Sequence, residues 1–544
     1  MRQRTRRHGA AVLAALLPIV CALGGCMVGP DYRRPPAIIS GHFKELAGWK
    51  PSAPSDTVDR GAWWSIYRDP VLDRLERQVA TSNQSLRAQV AAFQATVAVV
   101  AEARSQLFPT VGATASVTRS AGGGGGGRGG TTTLTSPSLG GVNTGTGIGT
   151  GTNTLTTTST TAGTGTSGRS FGGSTFTSYD LSGTVDWELD LWGRIRRQVE
   201  SDVAAAQASA ADIANVRLSN EALLATDYFE LRASDSLNIL LNDTVRDYRQ
   251  ALQITLNQYN AGVAARGDVI TAQTQLQSAI TSFINVGVLR SQLEHAIAVL
   301  IGRPPADLTI PPERLPLRVP VVPPGVPSEL LERRPDIAVA ERTMSEENAL
   351  IGVAVAAYYP QVTLSALYGY VGNPLSSLIQ AANRIWSLGA AASESLFEGG
   401  ARTAAVAAAR ATYDEAVANY RQTVLVAFQG VEDQLAALRI YADQARAEDE
   451  AVALARRAVQ IALNEYRAGT QPYTTVITAQ NTLLVDEEAA LTIQQDRLVA
   501  SVTLVEDLGG GWTAARLPSK ASLQTFNPLL PGSRIPYTGT SETK

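Results

Sequence analysis

The chain has 544 residues, with 46 Lys+Arg against 49 Asp+Glu, a formal net charge of −3 and 6% aromatic residues. That length exceeds one ordinary core and implies two units or an extended shape. The slight acidity gives no support to nucleic-acid binding, and many alanines with few aromatics suit long helices better than a compact α/β enzyme.

At the N-terminus, Arg2, Arg4, Arg6 and Arg7 precede an apolar run from Ala10 to Leu23 that Pro18 interrupts. The run is too short and too broken to span a bilayer, and reads as a signal peptide over residues 1–25. It ends Leu23-Gly24-Gly25-Cys26, which resembles a bacterial lipobox. On that reading Cys26 is the first mature residue and carries a covalent lipid. Met27, rather than Asp, then implies sorting to the outer membrane. The alternative is a plain secretory signal with an incidental cysteine. Loss of four arginines leaves 42 basic against 49 acidic residues, and 42 − 49 = −7. Cys21 leaves with the signal, so the mature chain has no disulfide. His42 and His295 are too far apart in sequence to form a metal-ligand cluster of the usual spacing.

Residues 26–82 form an anchored N-terminal segment, and 83–302 a first repeat. Within it Pro109 opens a strand with Val111, Ala113, Ala115 and Val117 on one face. A second strand runs from Tyr179 to Leu191 with Tyr179, Leu181, Val185, Trp187, Leu189 and Leu191 on one face and Asp180, Ser182, Thr184, Asp186, Glu188 and Asp190 on the other. This is period-two alternation. Between the strands lies a Gly/Thr/Ser-rich loop, 120–175, whose composition predicts disorder. Its run Gly122–Gly127 lacks the strand-then-helix setting of a phosphate cradle.

A long helix is predicted from about Ile195 to Asn260, with no Pro and almost no Gly. Leu224, Leu231, Val245, Leu252 and Tyr259 recur in sevens, Asn238 filling the remaining place, which is coiled-coil spacing. The helix stops at an Ala-Gly pair, a C-terminal signal. A return helix runs to about Leu300, with Asp268 available to its first turn. Residues 303–332 form a Pro-rich linker.

The second repeat, 333–510, follows the same plan. Val362, Leu364, Ala366, Tyr368 and Tyr370 alternate in a third strand, and Trp386, Leu388, Ala390 and Ala392 in a fourth. A helix from about Arg402 to Arg467 carries Val431, Leu438, Ala445, Val452, Val459 and Tyr466 in sevens. Its return helix reaches about Leu508, with Thr474 or Thr475 available to the first turn. The tail, 511–544, is proline-rich and reads as extended.

The two halves share a phrase. Tyr259-Asn-Ala-Gly262, Val269-Ile-Thr-Ala-Gln273 and Leu276 return as Tyr466-Arg-Ala-Gly469, Val476-Ile-Thr-Ala-Gln480 and Leu483. The offset is 466 − 259 = 207, and nine of eighteen positions are identical. Pro109 and Pro360 lie 251 apart, so the first half carries 251 − 207 = 44 extra residues, which places the low-complexity tract as an insertion. The phrase marks two helical hairpin tips, turned by Gly262 and Gly469.

The strands fit either a transmembrane β-barrel or a soluble antiparallel sheet with one buried face. The outer-membrane address favours the barrel. Four strands cannot close one, and an open edge is not tolerated in lipid, so a dimer of eight strands or a trimer of twelve is implied. No nucleophile elbow, phosphate loop or convergent titratable cluster points to an enzyme.

The ordered set Cys26-Met-Val-Gly-Pro-Asp-Tyr32, Trp187-Glu-Leu-Asp-Leu-Trp-Gly-Arg194, Leu331-Glu-Arg-Arg-Pro-Asp-Ile337, Ser395-Leu-Phe-Glu-Gly-Gly400 with Arg402, and the two Tyr-x-Ala-Gly tips resembles the outer-membrane efflux protein family, the TolC-like channels, in its lipidated NodT-type branch. The resemblance spans nearly the whole mature chain. It implies a mixed α and transmembrane-β fold: a homotrimer with a twelve-stranded barrel, four strands per chain, and a long periplasmic α-helical coiled-coil tunnel. It further implies a periplasmic adaptor and an inner-membrane efflux transporter as partners, drugs or other small molecules as cargo, no catalytic or metal site, and no cofactor beyond the lipid on Cys26. Type I protein secretion is the alternative client, and a lipid-anchored coiled-coil adhesin without a channel the alternative class. In the family the tip closes through contacts between hairpins and rings of acids. Asp268 falls on the matching acid of the first tip and Tyr466 on the matching tyrosine of the second, so a Tyr466–Asp268 contact is expected to hold the closed state. At the second tip Thr475 and Thr478 occupy positions that are acidic in relatives. Gln471 occupies one that is basic in some and acidic in others. Weaker cation selectivity follows as an expectation.

Overall fold

The computed structural model describes residues 27–37, 43–45, 60–121, 175–320, 322 and 330–524. Cys26, almost all of the low-complexity loop and the end of the tail lie outside them. The chain divides into two compact units, one of residues 1–108, 188–362 and 392–544, the other of 109–187 and 363–391.

The first unit is helical. Helix α1 (Pro70–Ser82) begins where Asp69 Oδ1 accepts the backbone N–H groups of Val71 and Leu72 at 2.8 and 3.1 Å, a side-chain cap for otherwise orphaned donors. Helix α2 (Gln84–Ser105) is capped by Asn83 Oδ1 on Leu86 N at 2.9 Å. The two long helices are α3 (Arg194–Asn260) and α6 (Ala401–Arg467), 67 residues each. At 1.5 Å per residue each is about 100 Å long. Their return partners are α4 (Arg266–Leu300) and α7 (Tyr473–Asp507), 35 residues each. Helix α5 (Pro335–Ala356) starts on a proline, which its first turn accommodates.

The motif around Trp192 has a local reason. Asp190 accepts Ile195 N at 3.1 Å and Arg196 N at 3.0 Å, so its carboxylate sits on the positive end of α3. Trp192 donates Nε1 to the Pro360 carbonyl at 2.9 Å and stacks on Tyr359 at 4.8 Å between centroids. At the start of α6, where no side chain caps the helix, Arg402 donates to the Ser395 carbonyl at 2.7 Å and to Glu398 at 3.2 Å.

The main core gathers both halves. Leu224, Tyr228, Phe229 and Leu231 of α3 pack with Trp63, Leu72, Leu75, Val431, Leu435, Val502 and Leu504. Each fully buried large apolar side chain of this kind contributes about 1.5–3 kcal/mol by area. A buried polar chain runs beside it. Tyr228 donates to Asp69 at 2.6 Å and accepts from Arg232 Nε at 3.0 Å. Arg232 donates to Asp235 at 3.2 Å and to the Pro311 carbonyl at 2.7 Å. Arg290 donates to Asp235 at 2.7 Å and to the Ile310 carbonyl at 2.6 Å. The proline-rich linker is thus tied to α3 and α4 by charge-assisted bonds to its carbonyls.

The N-terminal segment is strapped down. Val28 N donates to the Trp192 carbonyl at 3.1 Å. Arg197, itself buried, donates to the Val28 and Gly29 carbonyls at 3.1 and 3.2 Å and to Asp31 at 2.9 Å. Gly29 has φ 93°, and a Cβ there would strike the Gly352 backbone.

The second unit is a four-stranded sheet in the order β1 (Thr110–Ala121), β2 (Thr175–Leu189), β3 (Gln361–Gly372), β4 (Arg384–Ser393). β1 and β2 are antiparallel, with Val111 opposite Val185, Ala115 opposite Leu181 and Val117 opposite Tyr179. The register places the apolar faces of the two strands together. β2 starts at Thr175, four residues before the alternation signals it, and ends at Leu189 rather than Leu191. Phe176 falls on the polar face, so the pattern breaks although backbone pairing with β1 continues through Ala121↔Thr175. Among the described residues no helix is long and apolar enough to cross a membrane.

Candidate functional site

The two hairpin tips are built alike. At the end of α3, Val263 N donates to the Gln258 carbonyl and Gly262 N to the Tyr259 carbonyl, both at 2.9 Å. At the end of α6, Thr470 N donates to Glu465 and Gly469 N to Tyr466, both at 3.0 Å. This paired pattern satisfies the last helical carbonyls and needs a left-handed residue at its corner. Gly262 and Gly469 supply it with φ 77° and 73°. No atom lies within 4 Å of where a Cβ would stand at either position, so the backbone angle, not crowding, calls for glycine.

The tips differ in how they begin their return helices. Asp268 lies in the first turn of α4, and its Oδ2 accepts Ala265 N at 3.3 Å. At α7 the cap position is Pro472, with no side-chain cap bond. Thr474 and Thr475 fall in the first turn, as the sequence suggests, without making a side-chain cap; there the Thr474 carbonyl accepts Thr478 Oγ1 at 3.0 Å and Thr475 N donates to the Pro472 carbonyl at 3.2 Å. Gln471 and Thr478 are exposed, and Thr475 and Asp268 are half-buried.

The equivalent tyrosines have opposite environments. Tyr466 is 5% exposed and Tyr259 is 42% exposed. Tyr466 packs against Tyr473 at 5.2 Å between centroids, in a cluster with Ala251, Ala272, Ala462 and Val476. Its carbonyl accepts Gln258 Nε2 at 3.0 Å, a direct link between the two tips. Its hydroxyl is buried beside Thr255. The Thr255 hydroxyl donates to the Ala251 carbonyl at 2.9 Å, which leaves its oxygen able to accept from Tyr466. No hydrogen bond joins Tyr466 to Asp268. The two interact electrostatically: burial first raises the Tyr466 hydroxyl above its ordinary range, a hydrogen bond with Thr255 opposes this, and the Asp268 charge adds a smaller push upward. Tyr473 is pushed up to about 12, by burial first and then by Tyr466, Tyr248 and Asp268. Tyr473, Thr255, Gln258 and Gln480 thus belong to the tip although the sequence reading did not single them out. Gln480 stood inside the repeated phrase, but its copy Gln273 is exposed while Gln480 is 6% exposed, a difference that identical letters conceal.

The chemistry available here is mechanical and electrostatic. Among the described residues no group of His, Cys, Asp and Glu could hold a metal ion. The model of the family described as outer membrane efflux protein matches residues 75–303 and 326–510. The chain belongs to the outer membrane efflux protein family. It is a protein of the outer membrane, and the family is one of efflux channels rather than enzymes. It is 27% identical over 518 residues to the probable efflux pump outer membrane protein TtgC of Pseudomonas putida, a match covering 94% of this chain and 99% of that one. It is 29% identical over 523 residues to the outer membrane protein OprJ of Pseudomonas aeruginosa, covering 94% and 98%. Among solved structures it is similar to the outer-membrane channel OprN, at 29% identity and TM-score 0.76, covering 90% of this chain and all of that one.

Proposed function

We propose that three copies of this chain form the outer-membrane channel of a tripartite efflux pump. Each copy contributes four strands to a twelve-stranded barrel and two hairpins to a periplasmic tunnel. A periplasmic adaptor and an inner-membrane transporter deliver drugs or other small molecules, which leave chemically unchanged. A lipid on Cys26 anchors each copy. Val28 is held at the start of α3, so that anchor is tethered within two residues of a fixed point.

The single observation that carries the reading is the unequal burial of the repeat. Tyr466 and Gln480 are buried where the second tip packs on α3, while their copies Tyr259 and Gln273 are exposed. The first hairpin therefore presents the face that the second has already used. A surface and its complement on one chain make a head-to-tail contact, which forms a ring when the rotation between copies closes. The sheet makes the same demand. β1 and β4 are its edges, and Val111 and Leu388 on them are 78% and 77% exposed. In lipid such edges must pair with another copy.

The test is deletion of the gene, with drug susceptibility measured beside secretion of exported proteins. Increased susceptibility with normal secretion supports efflux. Lost secretion with unchanged susceptibility supports type I secretion instead.

A further inference from the structure

Between α3 and the α6–α7 hairpin, on the side of the tip cluster away from the turns, lies a half-open cavity of about 210 Å³. Ile254, Leu463 and Leu483 give it an apolar wall. Among its polar groups, two acceptors stand without a donor. The Thr244 hydroxyl donates elsewhere, to the Leu240 carbonyl at 2.9 Å, and the Tyr248 hydroxyl to Asn481 at 3.4 Å. Gln480 is buried, and its Oε1 has no hydrogen-bond partner. Asp247 is an exposed carboxylate with no hydrogen bond or salt bridge among the described residues; its neighbour Arg246 is bonded to Asp243 at 2.8 Å and acts on Asp247 through its charge alone. Glu487, at the far end, is held by Arg456 at 2.7 and 2.9 Å. The cationic group in the lining is Arg467, which follows Tyr466 at the tip-ward end.

We infer that this cavity binds a small amphipathic organic cation, its ammonium against Asp247 and Gln480 Oε1 and its apolar body on Ile254, Leu463 and Leu483. A buried acceptor without a donor is costly, and a ligand N–H relieves it. Desolvation raises the Asp247 carboxyl above its ordinary range against the smaller opposing pull of the Arg246 charge, and a bound ammonium adds to that pull. Arg467 repels the ammonium from the tip-ward end and fixes the ligand's direction. A cavity of about 150 Å³ is enough for benzene, so this one takes a single-ring amine. The inference concerns α3, α6 and α7 of one chain and does not depend on the client of the pump.

The experiment is equilibrium dialysis of the full-length, detergent-solubilised protein at neutral pH against 4-phenylbutylamine, with 4-phenylbutanoate as the anionic match. The expected result is saturable binding of one amine per chain, at least about tenfold tighter than the carboxylate, since one close charge contact is worth at least a factor of this order. Asp247→Asn lowers amine affinity about tenfold or more, and Leu483→Trp, which fills the apolar wall, abolishes binding. Should Leu483→Trp fail to assemble, Asp247→Asn decides alone. Uptake that follows the detergent without saturating, equal binding of the amine and the carboxylate, or unchanged affinity in Asp247→Asn would overturn the proposal.

Discussion

Tyr466 and Tyr259 occupy the same place in two copies of one repeat, yet Tyr466 is 5% exposed and Tyr259 42%. The difference separates folding from assembly. Tyr466→Ala removes a buried ring from the contact between hairpins and should destabilise the chain by about 3–5 kcal/mol, the usual range for buried aromatic truncation. Tyr259→Ala should leave the isolated chain nearly as stable and weaken its association. Thermal unfolding beside the mass of the detergent-solubilised assembly reads both effects. Equal losses of stability in the two variants would contradict the assignment.

The Tyr466 hydroxyl is buried, with the Thr255 hydroxyl as its neutral neighbour, so removing it should cost little. Tyr466→Phe is expected to lose no more than about 1 kcal/mol of stability, the usual net worth of one neutral hydrogen bond. If the hydroxyl meets Asp268 only when the tip closes, Tyr466→Phe and Asp268→Ala should both raise closed-channel conductance. Unchanged conductance in both variants would remove the latch from the account.

Glu76 makes the stability pH-dependent. It is fully buried on α1, both carboxyl oxygens lack partners, and burial first and Glu221 second push its pKa well above the ordinary value, against a smaller opposing pull from Arg217. The folded pKa is therefore the higher one. The stability linked to this group is complete below the unfolded value of about 4.3 and is lost as pH rises through the folded value. Glu76→Gln should flatten that loss. Melting curves from acid to neutral pH that stay parallel for parent and variant would refute it.

Asp235 joins two arginines under the linker, at 3.2 Å from Arg232 and 2.7 Å from Arg290. Asp235→Ala leaves Arg232 only the exposed Glu313 at 3.4 Å and Arg290 only Glu294 at 3.2 Å as acidic partners among the described residues, and should cost about 3 kcal/mol. Partial proteolysis of residues 303–320 should accelerate with it. An unchanged melting temperature would show that the linker is held by other means.

The tip carries a prediction for ion selectivity. Thr475 and Thr478 bring no charge there, and Asp268 is the acid in the first turn of the first return helix. Only a weak cation preference is expected in a salt gradient, and Asp268→Asn should abolish what there is. A strong preference in the parent channel would mean that acids elsewhere set it.

Much of this was legible in the sequence because long helices advertise themselves. Uninterrupted heptads and the Ala-Gly stops place α3 and α6 to within a residue, and alternation locates all four strands. Phe176 hid the start of β2 because pairing, not side-chain pattern, carries the strand there. Thr474 and Thr475 mark the first turn of α7, but the sequence did not show that Pro472, which has no polar side chain, takes the cap position itself. The burial of Gln480 against the exposure of Gln273 depends on which helix lies opposite, a tertiary fact that no local pattern encodes. The strap of Val28 and Gly29 on Arg197 is similarly a contact across more than a hundred residues.

The central claim is that copies of this chain join into a channel. Single-channel recording of the purified protein in a planar bilayer tests it most directly. Discrete, ohmic conductance steps that disappear when assembly is blocked by Tyr259→Arg are the predicted result. A folded protein that remains electrically silent, or steps that persist unchanged when Tyr259→Arg leaves only single chains, would contradict it.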